Sequence, residues 1–518
     1  MASEPFDEAL SRTTLFGALL AARNKAGGKM GVLEDQDRKV LSYDDVIRAA
    51  FALGNKIKTF TKPRERVGVL LPSSAGASVT FFALHAAGRV PAMLNFTAGA
   101  MNLKAALKVA GVRTILTSGK FLEQGDLEPL AAELAEVANV VRLESVRESI
   151  GMVDRVRALL DSLNTKKSYA PPSADDEAAI LFTSGSFGAP RGVVLSHANL
   201  IANVEQIAQH IEFDPNWVFF NPLPVFHCFG LTGGMLLPML RGHKAFQYPS
   251  PLHFKIIPEL VRETKASVLL ATDTFAYQFA RASRDGELKG LAFIVCGAEK
   301  VREETREIYQ RRFDVPLIEG YGATEAAPVI SVNQPTDNHH GTVGRILPGI
   351  EVKLETVPGI EEGQKLLVRG PNVMKGYLEA PDRIEPPAGG WHDTGDVVTL
   401  DNEGFITIKG RVKRFAKIGG EMVSLAAVES YATAVWPEYR HAVVALPCPR
   451  KGERLVLVSE QPAVDVGALR SWAQRNGAPE IAIPKAIVAV KEIPVLGTGK
   501  TDYVAVSRIA ETAEQEAA

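Results

Sequence analysis

Short apolar runs alternate with helix-period segments through roughly the first 400 residues, and few architectures accommodate that rhythm. RVGVLLP (66–72) reads as a buried strand, ASVTFFALHAAG (77–88) as a helix and VPAMLN (90–95) as a second strand. MNLKAALKVAG (101–111) continues as a helix and VRTILTS (112–118) as a third strand. Strands joined through helices in this way run parallel, so the expected class is α/β, with parallel sheets covered by helices. The pattern returns in ASVLLAT (266–272), LAFIVCGAE (291–299), a helix from Glu303 to Arg312 and PLIEGYG (316–322). A polar, proline-containing stretch, NTKKSYAPPSADD (164–176), reads as a linker between the two halves. After Gly410 a basic run leads into a helical stretch, SLAAVESYATAV (424–435), and then into the strands HAVVAL, RLVLVSE and AIVAVKEI. The expected organisation is therefore a large domain over 1–410 and a small α/β domain over 411–518.

Composition narrows the function classes. The 518 residues are 46% hydrophobic and 23% charged with a formal net charge of −2, an ordinary soluble balance that gives no basis for a nucleic-acid partner. Cys228, Cys296 and Cys448 are widely spaced and show no metal-ligand spacing, which suits a reducing cytoplasm. The start, MASEPFDEAL, lacks the basic and apolar regions of a signal peptide. The most apolar stretch, Phe81 to Leu94, is interrupted by His85, Gly88, Arg89 and Pro91 and cannot span a bilayer. Peripheral membrane contact is left open.

The strongest local signal is AILFTSGSFGAPRGVVLSH (179–197). A strand-like run ends in Thr183, Ser184, Gly185 and Ser186, and a helix with Ile201, Val204, Ile207 or Ala208, and Ile211 on one face is expected to follow. Glycines here, including Gly188, let backbone N–H groups converge on an anion, hydroxyls add donors and Arg191 adds charge. The end of the chain carries another apparent phosphate motif, PVLGTGKTDY (494–503), but a Walker loop needs a glycine where Pro494 stands, and too little chain follows to build its sheet. That reading fails, leaving Lys500 on a Gly-Thr-Gly turn to be explained.

The loop T-S-G-S-x-G-x-P-R-G resembles the signature of the AMP-forming adenylating superfamily, which includes acyl-CoA synthetases, and further motifs follow in order. The resemblance implies that in Gly320-Tyr321-Gly322-Ala323-Thr324-Glu325 the tyrosine packs on adenine, Thr324 contacts the α-phosphate and Glu325 holds Mg²⁺. Gly297-Ala298-Glu299 resembles the segment between adenine and acyl pocket, and His227 matches a position beside the substrate carboxylate. Asp396, ending His392-Asp393-Thr394-Gly395-Asp396, and Arg411 would hold the ribose hydroxyls of ATP. Lys500 fits the family's P-x-x-x-x-G-K turn and would neutralise charge as a carboxylate attacks the α-phosphate. A swing of the small domain about Lys413 would then present Lys417, Gly419, Gly420 and Glu421 to the thiol acceptor.

Small residues at Gly230, Gly233 and Gly234 are expected to leave room for a long acyl tail, and with no aspartate at the position where the family's amino-acid-activating members carry one, a fatty acid is expected rather than an amino acid. Stretches such as PLPVFHCFGLTGG, LLVRGPNVMKGYL and RVKRFAKIGGEMVSLAAVE resemble one branch, the acyl-acyl-carrier-protein synthetase half of a bifunctional 2-acylglycerophosphoethanolamine acyltransferase. That likeness implies transfer to acyl carrier protein, with coenzyme A as the alternative and a non-catalytic sensor as a reading from another class. The cluster Lys409, Arg411, Lys413, Arg414 and Lys417 would dock an acidic carrier. The acyltransferase half would require H-x-x-x-x-D, which this sequence does not contain. Two residues depart from the signature: Arg191 stands where lysine is usual, and Phe187 where the loop is small, polar or acidic.

Overall fold

The computed structural model describes residues 5–184, 190–418, 421–448, 452–476, 478–496 and 500–517. The α/β expectation holds. Contacts divide the chain into two units, the first comprising Met1–His339, Gly344–Glu351 and Arg369–His392.

Two large sheets organise this first unit. The eight-stranded one runs Arg383–Glu385, Gly376–Ala380, Pro190–Ser196, Glu177–Ser184, Val90–Met93, Arg66–Leu70, Thr114–Thr117 and Asn139–Arg142. Its strands from Glu177–Ser184 to Asn139–Arg142 are parallel. The nine-stranded sheet has a parallel centre in which Leu317–Gly322, Phe293–Cys296, Val268–Ala271, Val218–Asn221, Lys244–Gln247 and Gly31–Asp35 are successive neighbours. These strands are buried on both faces, hence their unbroken apolar character. Phe220 and Phe246 stack at 4.9 Å between neighbouring strands, and each buried side chain of this size stabilises by about 1.5–3 kcal/mol. The apolar stretch near Phe81 belongs to the helix Ala75–Ala86, which is buried almost all round within this core.

The expected linker does not separate two halves. Tyr169 is buried, its hydroxyl 2.8 Å from Thr14 Oγ1 and its ring 5.0 Å from Phe16, while Asp175 pairs with Arg12. An aromatic residue inside a polar, proline-rich stretch pins it to the core.

The second unit comprises His340–Val343, Val352–Val368 and Asp393–Ala518. It holds most of a four-stranded sheet, in the order Glu351–Glu355, Gln364–Arg369, His392–Leu400 and Ile406–Arg411. A further sheet runs Glu421–Ser424, Phe415–Ile418, Gly452–Ser459 and His441–Cys448, with Ala486–Ala489 added in parallel to Gly452–Ser459. The helix Leu425–Val435 covers it, started by Ser424, whose Oγ accepts the Ala427 N–H at 3.2 Å. Compactness thus groups residues 393–410 with the C-terminal residues 411–518, because Ile406–Arg411 pairs with His392–Leu400. A boundary of motion at residue 410 and a hinge at Lys413 remain proposals.

Candidate active site

Thr183 lies opposite Arg191, and Ser184 opposite Pro190, on antiparallel strands, so the loop 185–189 joins two paired strands. Gly185, Ser186, Phe187 and Gly188 lie outside the described residues, as does the side chain of Ser184. The expected helix runs from His197 to His210, with Ile201, Val204 and Ile207 buried. The run before it, Pro190–Ser196, is a strand, since the buried Val193, Val194 and Leu195 suit a pleated ladder. The helix N-terminus is consequently displaced from the loop, and Ser196 and Asn199 cap it reciprocally at 3.0 and 2.9 Å. Anion binding at the loop would fall to its own backbone and hydroxyls, with Arg191 on the adjoining strand.

Arg191 places its guanidinium carbon 3.5 Å from the centroid of the Tyr377 ring. The Tyr377 hydroxyl donates to Glu325 Oε1 at 2.6 Å. Burial, then the charge of Glu325, pushes the phenol well above its ordinary pKa, so it stays protonated and donating. The residue expected at the phosphates and the residue expected at the metal are therefore joined through one aromatic side chain. A planar guanidinium stacks on such a ring better than an ammonium does, which gives Arg191 a physical reason to replace lysine. Tyr377 lies within LLVRGPNVMKGYL, yet no motif singles it out. Its one signal is an aromatic residue after Gly376, on a strand paired with Pro190–Ser196.

Glu325 sits in the single turn Thr324–Ala326, immediately beyond the strand Leu317–Gly322 that carries Gly320 and a buried Tyr321. Three contacts shape this corner. Met374 N–H donates to Glu325 O at 2.8 Å, Asn203 pairs with both backbone groups of Val329, and Asn372 donates to Ala326 O at 2.6 Å. Gly322 is required by close approach, because a Cβ there would lie 2.1 Å from Pro328 O. Among the described residues no three His, Cys, Asp or Glu side chains converge. A Mg²⁺ at Glu325 would thus take one carboxylate and complete its shell with water and phosphate oxygens, a donor set that suits this ion.

Ala298 has φ 71°, a region that non-glycine residues occupy at a cost of about 1–3 kcal/mol and that clusters at functional sites. Its neighbour Glu299 accepts the Thr274 N–H at 3.0 Å, and a Cβ on Gly297 would meet the Phe229 ring at 3.3 Å. His227 closes a turn through its N–H to Pro224 O at 3.0 Å and leads into the π-helix Phe229–Leu236, an element frequent at functional sites.

Of the three glycines expected to leave acyl space along this π-helix, Gly230 and Gly234 are closely packed against their neighbours. A Cβ on Gly230 would lie 2.3 Å from Pro224 O, and one on Gly234 would lie 2.1 Å from Asn221 Cγ. Asn221 donates to Gly230 O at 3.2 Å and Gln247 to Gly234 O at 2.7 Å. These two glycines make room for packed backbone and amide groups that satisfy the π-helix.

In the second unit Asp396 faces Arg411 across the pair His392–Leu400 and Ile406–Arg411. The Asp396 side chain is 5% exposed and accepts from Arg411 Nε at 2.8 Å, while the arginine is 63% exposed. Thr394 Oγ1 accepts the Asp396 N–H at 3.1 Å, fixing the strand where the carboxylate emerges. Lys413, Lys417 and Glu421 are exposed, and Gly419 and Gly420 lie outside the described residues.

The basic cluster does not form one exposed patch. Lys409 pairs with Glu362 and Arg411 with Asp396. Arg414 is 17% exposed, donates to Glu429 Oε1 at 2.7 Å and to Val443 O at 2.9 Å, and lies 3.6 Å over the Tyr503 ring. Its charge is consumed inside its own unit, so it contributes to stability rather than to docking. Replacing Arg414 by alanine is expected to destabilise the protein by about 3 kcal/mol, because Glu429 is left buried without its partner. Chemical denaturation checks this, and an unchanged midpoint would return Arg414 to the surface patch.

Lys500 is half-buried in a closed turn. Its carbonyl accepts the Leu496 N–H at 2.7 Å, and Pro494 O accepts the Asp502 N–H at 2.9 Å. Asp502 then caps the helix Tyr503–Ala517, accepting the Val504 and Ala505 N–H groups at 3.1 Å each.

Residues 21–378 match the family described as AMP-binding enzyme. A feruloyl-CoA synthase of an Amycolatopsis species is 28% identical over 484 residues, covering 89% of this chain and 92% of its own. A medium-chain fatty-acid–CoA ligase of Escherichia coli K12 is 28% identical over 393 residues, covering 72% of this chain and 68% of its own. Among solved structures, an o-succinylbenzoate coenzyme A synthetase of Bacillus subtilis in complex with ATP and magnesium ion aligns with a TM-score of 0.79 at 20% identity. That alignment covers 93% of this chain and 98% of that one.

Proposed function

Because the chain belongs to the AMP-binding enzyme family, we propose that it activates a hydrophobic carboxylic acid with ATP and passes the acyl group to coenzyme A. The observation that supports the first half-reaction is the link Arg191–Tyr377–Glu325, which ties a cation beside the signature loop to a carboxylate suited to Mg²⁺. A carboxylate oxygen of the acid attacks the α-phosphorus, the bond to the pyrophosphate oxygen breaks, and acyl adenylate forms. The acceptor thiol, losing its proton, then attacks the acyl carbon and AMP leaves. Mg²⁺, when bound, supplies charge neutralisation on the phosphates. Thr324 would position the α-phosphate, Asp396 and Arg411 the ribose, Tyr321 the adenine and His227 the substrate carboxylate.

Coenzyme A is preferred over acyl carrier protein on two grounds. The similar proteins are named for coenzyme A, and three of the five basic residues expected to dock an acidic carrier are engaged within their own unit. A fatty acid remains the first acid to try, given the medium-chain relative, with aromatic acids beside it given the feruloyl one.

The test is a paired assay with ATP, Mg²⁺ and panels of fatty and aromatic acids, with coenzyme A in one arm and holo acyl carrier protein in the other. AMP, pyrophosphate and a coenzyme A thioester are expected in the first arm and little thioester in the second. Preference for the carrier protein would overturn the acceptor assignment. Absence of AMP and pyrophosphate with every acid would overturn adenylation and favour a sensor.

A further inference from the structure

The helix Met152–Leu163 carries an apolar face that the protein leaves in solvent. Met152, Val153, Val156, Leu159, Leu160 and Leu163 range from 41% exposed at Leu159 to 82% at Val153. At about 100° per residue they occupy one continuous arc of roughly 120°. Scattered exposed leucines need no explanation, but six aliphatic side chains on one face of a 12-residue helix form a patch of the kind that marks a docking surface.

The charges of this helix are sorted about that face. Its two acids point into the protein: Asp154 pairs with Lys56 at 2.8 Å, and Asp161 accepts from Asn55 at 2.9 Å. Ala158 is the residue buried between them. Its two arginines, Arg155 and Arg157, are exposed and fall on opposite edges of the apolar arc, Arg157 lying 4.0 Å from Asp161. Lys166 and Lys167 follow directly and are also exposed. Acids inward, aliphatics outward and arginines along both borders is the distribution of a helix that lies in a membrane interface, with long basic side chains reaching the headgroups. A protein partner would be expected to draw on aromatic anchors, and this face has none. Among the described residues no helix is long and apolar enough to cross a membrane, so the contact is one of lying on the surface.

We infer that the helix Met152–Leu163 seats this protein on an anionic lipid surface. The placement goes beyond the proposed reaction and is independent of which acid or acceptor is used. The test is co-sedimentation of the full chain with vesicles of phosphatidylcholine plus phosphatidylglycerol and with vesicles of phosphatidylcholine alone. Binding is expected to the anionic vesicles, and to weaken as salt is raised from about 0.1 M to about 0.5 M. The triple variant Val153→Asp, Val156→Asp, Leu160→Asp should weaken binding at least about tenfold. The pair Arg155→Glu, Arg157→Glu should weaken it at least about fivefold per residue on anionic vesicles. Both variants alter exposed side chains, so an unchanged thermal melt accompanies the expected result. No binding of the unaltered protein to anionic vesicles, or binding that both variants retain, overturns the inference. So does a concentration-dependent dimer in sedimentation velocity that the triple variant abolishes, which would give the face to a second copy.

Discussion

Lys500→Ala is expected to slow acyl adenylate formation by about 10²–10³, while thioester formation from supplied acyl adenylate stays within a factor of about two. The asymmetry is the informative part. An ammonium placed where negative charge develops at the α-phosphate acts only while the carboxylate displaces pyrophosphate, and has no such charge to meet once the adenylate exists. The fold explains why the change should be local. The turn that holds Lys500 is closed by backbone hydrogen bonds at Leu496 and Asp502, and the following helix is capped by Asp502, so removing the lysine side chain removes none of these supports. Pyrophosphate exchange measures the first step, and single-turnover thioester formation from synthetic adenylate the second. Equal loss of both steps would remove the assignment of Lys500 to the first half-reaction alone.

The second large effect is expected at Asp396. A buried carboxylate that accepts two ribose hydroxyls makes charge-assisted hydrogen bonds of about 1.5–3 kcal/mol each, so Asp396→Ala should raise the apparent KM for ATP at least about tenfold. The competing explanation is that Asp396 serves only to hold Arg411, with which it makes a 2.8 Å ion pair. Arg411→Ala separates the two. If the aspartate binds ribose itself, Arg411→Ala should raise the KM less than Asp396→Ala does, with the effect of each on the KM for the acid near unity. An unchanged ATP affinity in Asp396→Ala would remove the ribose assignment. Equal effects of the two replacements would make the aspartate a support for the arginine.

Much of the frame is readable from residue order because its determinants are local. The strands around Arg66, Val90 and Thr114 are short continuous apolar runs bounded by helices, and burial on both faces leaves such runs little alternative to a parallel sheet. The strand Pro190–Ser196 is not legible in this way, since Val193, Val194 and Leu195 come after a glycine-rich loop, in the place where a helix is the usual continuation. The stretch 164–176 misleads because polar and proline content describes a linker only when nothing in it is buried, and Tyr169 is.

For the site, the residue types proposed to carry the chemistry, and their order, lie in the chain itself: hydroxyls and glycines suited to phosphate, Glu325 to a hard cation, Asp396 to hydroxyls and Lys500 to developing charge. Partnership does not. Tyr377 joins Arg191 to Glu325 across residues far apart in sequence, and only the pairing of Gly376–Ala380 with Pro190–Ser196 brings them together. The same holds for Arg414, whose charge looks available in a basic run but is surrounded by Glu429 and Tyr503 in the fold. It holds as well for Gly230 and Gly234, whose smallness suggests space that Asn221 and the backbone already fill. A sequence states which groups a protein owns and how the strands and helices alternate, because propensity and hydrophobic period act over a few residues. Which charges remain available, which glycines leave room and which apolar face stays in water depend on the neighbours that folding brings from elsewhere in the chain, and packing alone decides them.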